Sequence, residues 1–143
     1  MKVAVTKEIE VGERRVALIP DVVSRLVKQG WEIHVETGAG EAAFFSDRAY
    51  EDAGATIVKD KATLWQNADI IVKVSALKEE ELPLLEKGKT LVGLLNPFGQ
   101  PELIQKLGEK GVNTFSLELM PRTSRAQSMD ALSSQGNIAG YKA

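Results

Sequence analysis

Short apolar runs alternate along the chain with segments whose apolar residues have helical spacing. The runs are rich in β-branched residues and end at turn residues, which is typical of strands. We predict strands at residues 3–5, 31–36, 56–58, 69–74, 90–95 and 114–119. The run at 90–95 is almost continuously apolar, as expected for a strand that is covered on both faces of a sheet.

The segments between these runs predict helices. The clearest begins at Pro20, presents one apolar face and ends before Gly30. A second begins at Ser46, whose side chain is suited to cap it. Further helices are predicted near residues 64–65, at 101–111 and at about 128–143, and residues 78–86 form an acidic amphipathic segment.

Strands separated by helices predict repeated βαβ units and a mainly parallel sheet. We therefore expect one α/β domain with helices on both faces, a three-layer lobe of the Rossmann or flavodoxin type. The strand order does not follow from the sequence. The last predicted helix ends without a C-terminal signal, which indicates either a fragment of a longer protein or a frayed natural terminus.

Composition removes several classes of function. The 143 residues contain 18 Lys and Arg against 20 Asp and Glu, a balance that argues against nucleic-acid binding. No apolar run approaches the roughly 20 residues that cross a bilayer, and the N-terminus is not a signal peptide. The absence of cysteine excludes disulfides and thiolate zinc sites, and the single histidine, His34, excludes a histidine-rich metal site.

Residues 38–43, GAGEAA, follow a predicted strand and fit the pattern G-x-G-x-x-A. A dinucleotide fingerprint requires this turn to open directly into a helix, with an acidic residue about 20 positions later. Here the helix begins only at Ser46, and Asp60 is the one acidic residue near that spacing. We interpret the segment as a plain turn, so the predicted lobe lacks a GxGxxG nucleotide site.

Three polar residues follow predicted strands at the sheet edge where α/β proteins bind ligands. Lys73 lies in an apolar strand, where it must be paired, bind an anion or extend to solvent. Arg15, after the first strand, is suited to bind a carboxylate or phosphate beside Lys73, although an exposed pair with Arg14 is the commoner arrangement. Asn96 ends the strand predicted at 90–95.

The most polar loop spans residues 121–130, PRTSRAQSMD. It combines hydrogen-bond donors and acceptors that suit a carboxamide or a ribose, and Gln127 and Asp130 would share one side of a helical turn. The same residues also fit the start of a capped helix, with Ser124 or Ser128 as the cap. Both interpretations remain open at this stage.

The segments MKVAVTKEIEVGERRVALIPDVVSRLVKQG and VETGAGEAAFFSD resemble the family shared by alanine dehydrogenase and the α subunit of proton-translocating nicotinamide nucleotide transhydrogenase. The closing segment, PRTSRAQSMDALSSQGNIAGYKA, is similar to the transhydrogenase branch. The resemblance implies that residues 1–143 form the N-terminal lobe of the NAD(H)-binding component. The final helix would then lead into an NAD-binding domain that this sequence does not contain.

The resemblance also implies roles for individual residues. In the transhydrogenase branch the closing loop lies over the nicotinamide of NAD(H). Gln127 and Asp130 would lie nearest to the hydride transfer, with Gln127 reaching the NADP(H) ribose on a partner domain. The implied cofactor contacts are Arg122, Thr123, Ser124, Arg125, Gln127, Asp130 and Ser133.

In the dehydrogenase branch an arginine and a lysine, matched here by Arg15 and Lys73, hold a 2-oxo acid. Asn96 stands where that branch has an acid/base histidine, which argues against alanine dehydrogenase activity. These three residues would then line a substrate pocket that has lost its function.

The expected activity is hydride transfer between NAD(H) and NADP(H), coupled to proton translocation, without a metal. The implied partners are the missing NAD-binding lobe, an NADP(H)-binding domain, a membrane domain and a second copy, at the cytoplasmic side of the inner membrane. Alone, the chain is expected to be inactive. Two alternatives are the substrate lobe of an alanine dehydrogenase-like enzyme and a non-catalytic α/β module that binds a partner.

Overall fold

A computed structural model describes residues 1–142 and shows a six-stranded, all-parallel sheet. The strand order is β3-β2-β1-β4-β5-β6, the order of Rossmann-type sheets. The fold class predicted from the sequence is therefore confirmed. The strands are β1 (Lys2–Val5), β2 (Glu32–Glu36), β3 (Thr56–Val58), β4 (Ile70–Val72), β5 (Thr90–Gly93) and β6 (Asn113–Ser116).

Five α-helices and four short 3₁₀ helices connect or follow the strands within residues 1–142. The α-helices are α1 (Pro20–Lys28), α2 (Asp47–Asp52), α3 (Lys61–Gln66), α4 (Pro101–Glu109) and α5 (Ala131–Lys142). The 3₁₀ helices are Glu41–Ala43, Glu79–Leu84, Leu117–Leu119 and Gln127–Met129. None of the helices in this part of the chain is both long and apolar enough to cross a membrane.

The central strand β1 is buried on both faces because its side chains alternate between two apolar clusters. Val3 and Val5 pack with residues of α1 and α2, whereas Ala4 packs with residues of α3 and α4. Parallel pairing aligns Val5 with Val35 on β2 and with Val72 on β4. Helices therefore cover both faces of the sheet, as the sequence predicted.

Two predicted elements differ in the structure. The strand predicted at 114–119 ends at Ser116, and the chain then turns so that the Glu118 carboxylate accepts hydrogen bonds from the backbone at the end of β5. The amphipathic segment at 78–86 forms a 3₁₀ helix that contains Pro83. Its Glu81 is buried instead of joining a solvated acidic face.

The last helix begins at Ala131, later than the predicted start near 128, and Ala143 lies outside the described residues. The carboxylate of Asp130 accepts hydrogen bonds from the backbone N–H groups of Leu132 and Ser133, at 3.1 and 3.3 Å. This is the geometry of an N-cap. The cap is therefore Asp130, and the suggestion of Ser124 or Ser128 was wrong.

The GAGEAA segment is a turn followed by a 3₁₀ helix, not the start of an α-helix. Ser46 caps α2 by accepting from the N–H of Ala49, and Asp60 caps α3 by accepting from the N–H of Thr63. The plain-turn interpretation is therefore confirmed. Close packing explains the glycine at position 40, since a Cβ atom there would lie 2.7 Å from the ring of Tyr50.

We expect Gly40→Ala to reduce the free energy of unfolding by about 1–3 kcal/mol, since its Cβ would overpack Tyr50 and the Phe45 carbonyl. The matched control is Gly108→Ala on α4, where a Cβ would meet no atom within 4 Å. Alanine there should stabilise the chain by about 0.5–1 kcal/mol. Urea denaturation measures both variants, and equal free energies of unfolding would contradict the packing role of Gly40.

Candidate functional site

The chain leaves β1 toward β2 and leaves β4 toward β5, so the two central strands are connected in opposite directions. Ligands of open α/β sheets bind at such a switch point, beyond the carboxyl ends of the strands. The loops after β1, β4, β5 and β6 meet at this edge. They carry every predicted site residue except Ser133, which lies in the first turn of α5.

A cavity of about 450 Å³ opens at this edge, and we call it the switch-point cavity. Arg15 and Lys73 both line it, so the structure brings these two predicted residues together. Asn96 does not line it. The other lining residues are Val16, Ala17, Leu18, Ile19, Ala43, Val72, Val74, Val92, Leu94, Leu117, Ala131 and Gln135.

Arg15 is already engaged by protein groups. Its Nε and Nη2 atoms donate to the Glu13 carboxylate at 2.8 and 2.6 Å, and its backbone N–H donates to the same group at 2.9 Å. The remaining Nη1 donates to Oε1 of Gln135 on α5 at 3.0 Å. The hydrogen bond from the Arg15 side chain lowers the pKa of Glu13 to about 2. Arg15 is therefore paired within the chain and does not present a free guanidinium.

Lys73 is only 3% exposed and is held by carboxylates. Its ammonium lies 3.0 Å from Glu81 and 3.6 Å from Glu8. Burial opposes the ionisation of Glu81, but the charge of Lys73, hydrogen bonds and Lys61 outweigh it, so the pKa of Glu81 lies below its usual value. Of the arrangements open to a lysine in this strand, the structure shows pairing.

The same carboxylates join two loops of the sheet edge. Glu8, after β1, accepts hydrogen bonds from the backbone N–H groups of Val74 and Ser75, after β4, at 2.6 and 3.2 Å. The Ser75 hydroxyl lies 3.4 Å from Glu13 and donates to it. The loop that carries Arg15 is thus attached to the end of β4 by charged and hydrogen-bonded groups.

A second, more polar cavity of about 600 Å³ lies beside the first, and we call it the loop cleft. Its lining includes most of the residues that the resemblance assigned to cofactor contact. It is lined by Glu118, Met120, Pro121, Arg122, Thr123, Ser124, Gln127, Asp130, Leu132 and Ser133. Arg125 is the one predicted contact residue that does not line it.

Asp130 organises the loop cleft. Besides capping α5, its carboxylate accepts a hydrogen bond from the Ser133 hydroxyl. The hydrogen bond from Ser133 lowers the pKa of Asp130, and the charge of Arg122 adds to this effect. Gln127 lies in a 3₁₀ turn and Asp130 in extended backbone, so they do not share the regular helical turn expected from their spacing. Both nevertheless line the same cleft.

Asn96 lies outside both cavities and stabilises a turn. Its backbone has a φ of 50°, in the left-handed region that asparagine tolerates. Its side-chain oxygen accepts a hydrogen bond from the N–H of Gly99 at 3.2 Å, and its own N–H donates to Glu118. The structure thus gives Asn96 a local role in shaping the loop after β5.

Four residues that matter here were missed by sequence reasoning: Glu8, Glu13, Glu81 and Gln135. The need of a buried Lys73 for a carboxylate was a usable signal, but several acidic residues could have met it. Glu81 lies in an acidic run that has the pattern of a solvated face. No sequence signal connects Arg15 to Gln135, which is 120 positions away.

We expect Lys73→Met to reduce the free energy of unfolding by about 3 kcal/mol, because it leaves Glu8 and Glu81 buried without their nearest cation. The matched control is Lys59→Met, since Lys59 is exposed, and its stability should change by less than about 0.5 kcal/mol. Urea denaturation measures both. A small, equal effect of the two substitutions would show that the buried ion pairs contribute nothing to stability.

The low pKa of Glu13 predicts a pH dependence of stability. Its pKa falls from 4.5 to about 2 in the folded chain, so its stabilising ionised form is complete above pH 4.5 and is lost as the pH falls toward 2. Glu13→Gln should therefore flatten the dependence of the free energy of unfolding on pH in that window. The test is chemical denaturation of both proteins at a series of pH values. Parallel curves would contradict the Arg15–Glu13 pairing.

The chain matches known proteins along nearly its whole length. A sequence model of the family described as "Alanine dehydrogenase/PNT, N-terminal domain" matches residues 4–139. The chain is 45% identical over 143 residues to the NAD(P) transhydrogenase subunit alpha of Cereibacter sphaeroides. It is 42% identical over 143 residues to the NAD(P) transhydrogenase subunit alpha of Haemophilus influenzae. These alignments include 100% of this chain but only 27% and 28% of the two relatives.

A third relative is shorter. The chain is 43% identical over 148 aligned residues to the first of the separately named parts of the NAD(P) transhydrogenase alpha subunit of Rhodospirillum rubrum. That alignment includes 100% of this chain and 38% of the relative. The chain therefore spans less than half the length of each of these relatives.

Structural comparison agrees. The fold matches the crystal structure of a transhydrogenase from Sinorhizobium meliloti with a TM-score of 0.94 and 39% sequence identity. That match covers 100% of this chain and 42% of the other. The family model, the sequence identities and the shared fold lead to one conclusion: the chain belongs to the alanine dehydrogenase/PNT N-terminal domain family.

Proposed function

We propose that the chain forms the N-terminal lobe of the NAD(H)-binding component of an NAD(P) transhydrogenase, and that the loop cleft contacts the nicotinamide. The observation that carries the proposal is the convergence of Arg122, Gln127, Asp130 and Ser133 on one polar cleft. These residue types offer both donors and acceptors, as a carboxamide requires. The similarity of the whole chain to transhydrogenase α subunits supports the same assignment.

The cleft has capacity for a carboxamide. The Asp130 carboxylate accepts three protein hydrogen bonds and has about four acceptor positions, so one remains for the carboxamide NH₂. The guanidinium of Arg122 can donate to the carboxamide oxygen. Gln127, on the adjacent 3₁₀ turn, is placed to contact a second dinucleotide across the cleft.

This arrangement suits direct hydride transfer. The nicotinamide supplies the hydride, so the side chains need only orient the ring and exclude water. Asp130 has a lowered pKa and is therefore ionised at neutral pH, which suits an acceptor and not a general acid. The contacts assigned to the cleft are those of a positioning loop.

A 2-oxo acid is less well suited to the switch-point cavity. Binding its carboxylate requires positive charge that is not already neutralised. Arg15 is engaged by Glu13, and Lys73 by Glu81 and Glu8. Both cations that line the cavity are therefore neutralised by the chain itself, which disfavours the alternative of an alanine dehydrogenase substrate lobe.

The remaining parts of the component are proposed partners. Exposed apolar side chains near the loop cleft favour a surface that another lobe covers, since Leu119 is 51% and Leu132 is 53% exposed. Tyr141, at the end of α5, is 90% exposed. The Rhodospirillum rubrum relative is named as one part of its alpha subunit, which supports an α component divided among several chains. A homodimer, an NADP(H)-binding domain and a membrane domain on the cytoplasmic side complete the proposed assembly.

The proposal is tested by titrating NADH at millimolar concentration into the ¹⁵N-labelled chain. We expect shift changes at the amides of Gln127, Asp130 and Ser133 that Arg122→Ala and Asp130→Ala greatly reduce, because each removes one carboxamide contact. The control is Arg48→Ala on α2, whose partner Asp52 lies on the same helix at the β3 edge of the sheet. An NADH response confined to other residues, or none, would contradict the nicotinamide role of the cleft.

A further inference from the structure

Helix α5 forms a wall between the two cavities. Ala131 and Gln135, four residues apart on one helical face, line the switch-point cavity. Asp130, Leu132 and Ser133 line the loop cleft on the other side. The position of the first turns of α5 therefore sets the geometry of the cleft.

This helix is held weakly. None of the residues from Ala131 to Lys142 is buried, so apolar packing contributes little to its position. Its predecessor Ala126 is buried, but it lies before the cleft residues that α5 carries. A short helix with no buried face is marginal in water and depends on its caps and tertiary contacts.

One hydrogen bond connects this region to the body of the chain. Within residues 1–142, the contact from Arg15 Nη1 to Gln135 Oε1, at 3.0 Å, is the only hydrogen bond or ion pair that joins segment 121–142 to residues before it, apart from the adjoining turn at Leu117–Met120. It therefore fixes the first turns of α5 against the sheet edge.

Arg15 is braced for this role. Glu13 holds its backbone N–H, Nε and Nη2, so the guanidinium has one orientation and Nη1 is directed at α5. Ser75 donates to Glu13, and Glu8 holds the backbone of Ser75. The brace is thus continuous from the end of β4 to the guanidinium.

We propose that Arg15 is a positioning residue for the loop cleft, acting through Gln135, and not an anion-binding residue. The contact holds α5 so that Asp130 and Ser133 face the cleft together. The inference rests on the proposed function for its consequence in NADH binding, but the contact with α5 can be tested without any ligand.

The first readout is amide hydrogen exchange in α5. Arg15→Ala and Gln135→Ala should each raise the exchange rates of α5 amides roughly two- to tenfold, the range for one exposed hydrogen bond. The double variant should raise them no further, because both substitutions remove the same contact. Alanine favours helix more than glutamine does, so lost protection in Gln135→Ala cannot come from helix propensity.

Two further variants act as controls. Gln135→Glu keeps an acceptor oxygen facing Nη1 and should retain the protection of α5. Arg14→Ala removes the neighbouring arginine, whose guanidinium lies 5.5 Å from the Phe44 ring centroid, and should leave α5 exchange unchanged. Additive effects of Arg15→Ala and Gln135→Ala, or an equal effect of Arg14→Ala, would overturn the proposal.

The second readout separates positioning from anion binding. If NADH shifts the Asp130 and Ser133 amides, Arg15→Ala and Gln135→Ala should weaken the apparent affinity by the same factor. Pyruvate, added instead, should leave the Arg15 Nε–H resonance unmoved. A pyruvate-induced shift of that resonance that persists in Gln135→Ala would overturn the inference. If NADH produces no response while the exchange results hold, the proposed function fails and the positioning contact stands.

Discussion

The buried ion pairs of Lys73 are the constraint on which the sheet edge depends. A lysine at 3% exposure is tolerated only because Glu81 and Glu8 neutralise it. Glu8 also holds the backbone that follows β4, so one carboxylate connects the loops of the two central strands. Arg15, Glu13 and finally α5 are then held in sequence from this point. The geometry of the loop cleft thus originates in a charge cluster that no ligand needs to touch.

The two cavities at this edge share a wall but differ in chemistry. The switch-point cavity is mainly apolar, and its cations are already paired with carboxylates. The loop cleft is polar, and its Asp130 retains an acceptor position for a ligand. In this chain the residues that would bind a 2-oxo acid instead support the loop that would contact a nicotinamide. Arg15 illustrates the change, since its guanidinium reaches α5 and not open space.

Much of the architecture was predictable because apolar periodicity is local. The six strands, the cap at Ser46 and the plain turn at residues 38–43 all followed from short sequence patterns. The strand order and the Arg15–Gln135 contact did not, because they join residues far apart in the chain. Glu81 was missed for another reason. Its acidic run has the pattern of a solvated face, and only the buried position of Lys73 turns it inward.

The central claim is that the loop cleft, and not the switch-point cavity, contacts the nicotinamide. The most direct measurement is the set of intermolecular nuclear Overhauser effects between the nicotinamide ring protons of NADH and methyl groups of the chain. The account predicts contacts to Met120 and Leu132, which line the loop cleft. Contacts to Val92 and Leu94, which line the switch-point cavity, would contradict it.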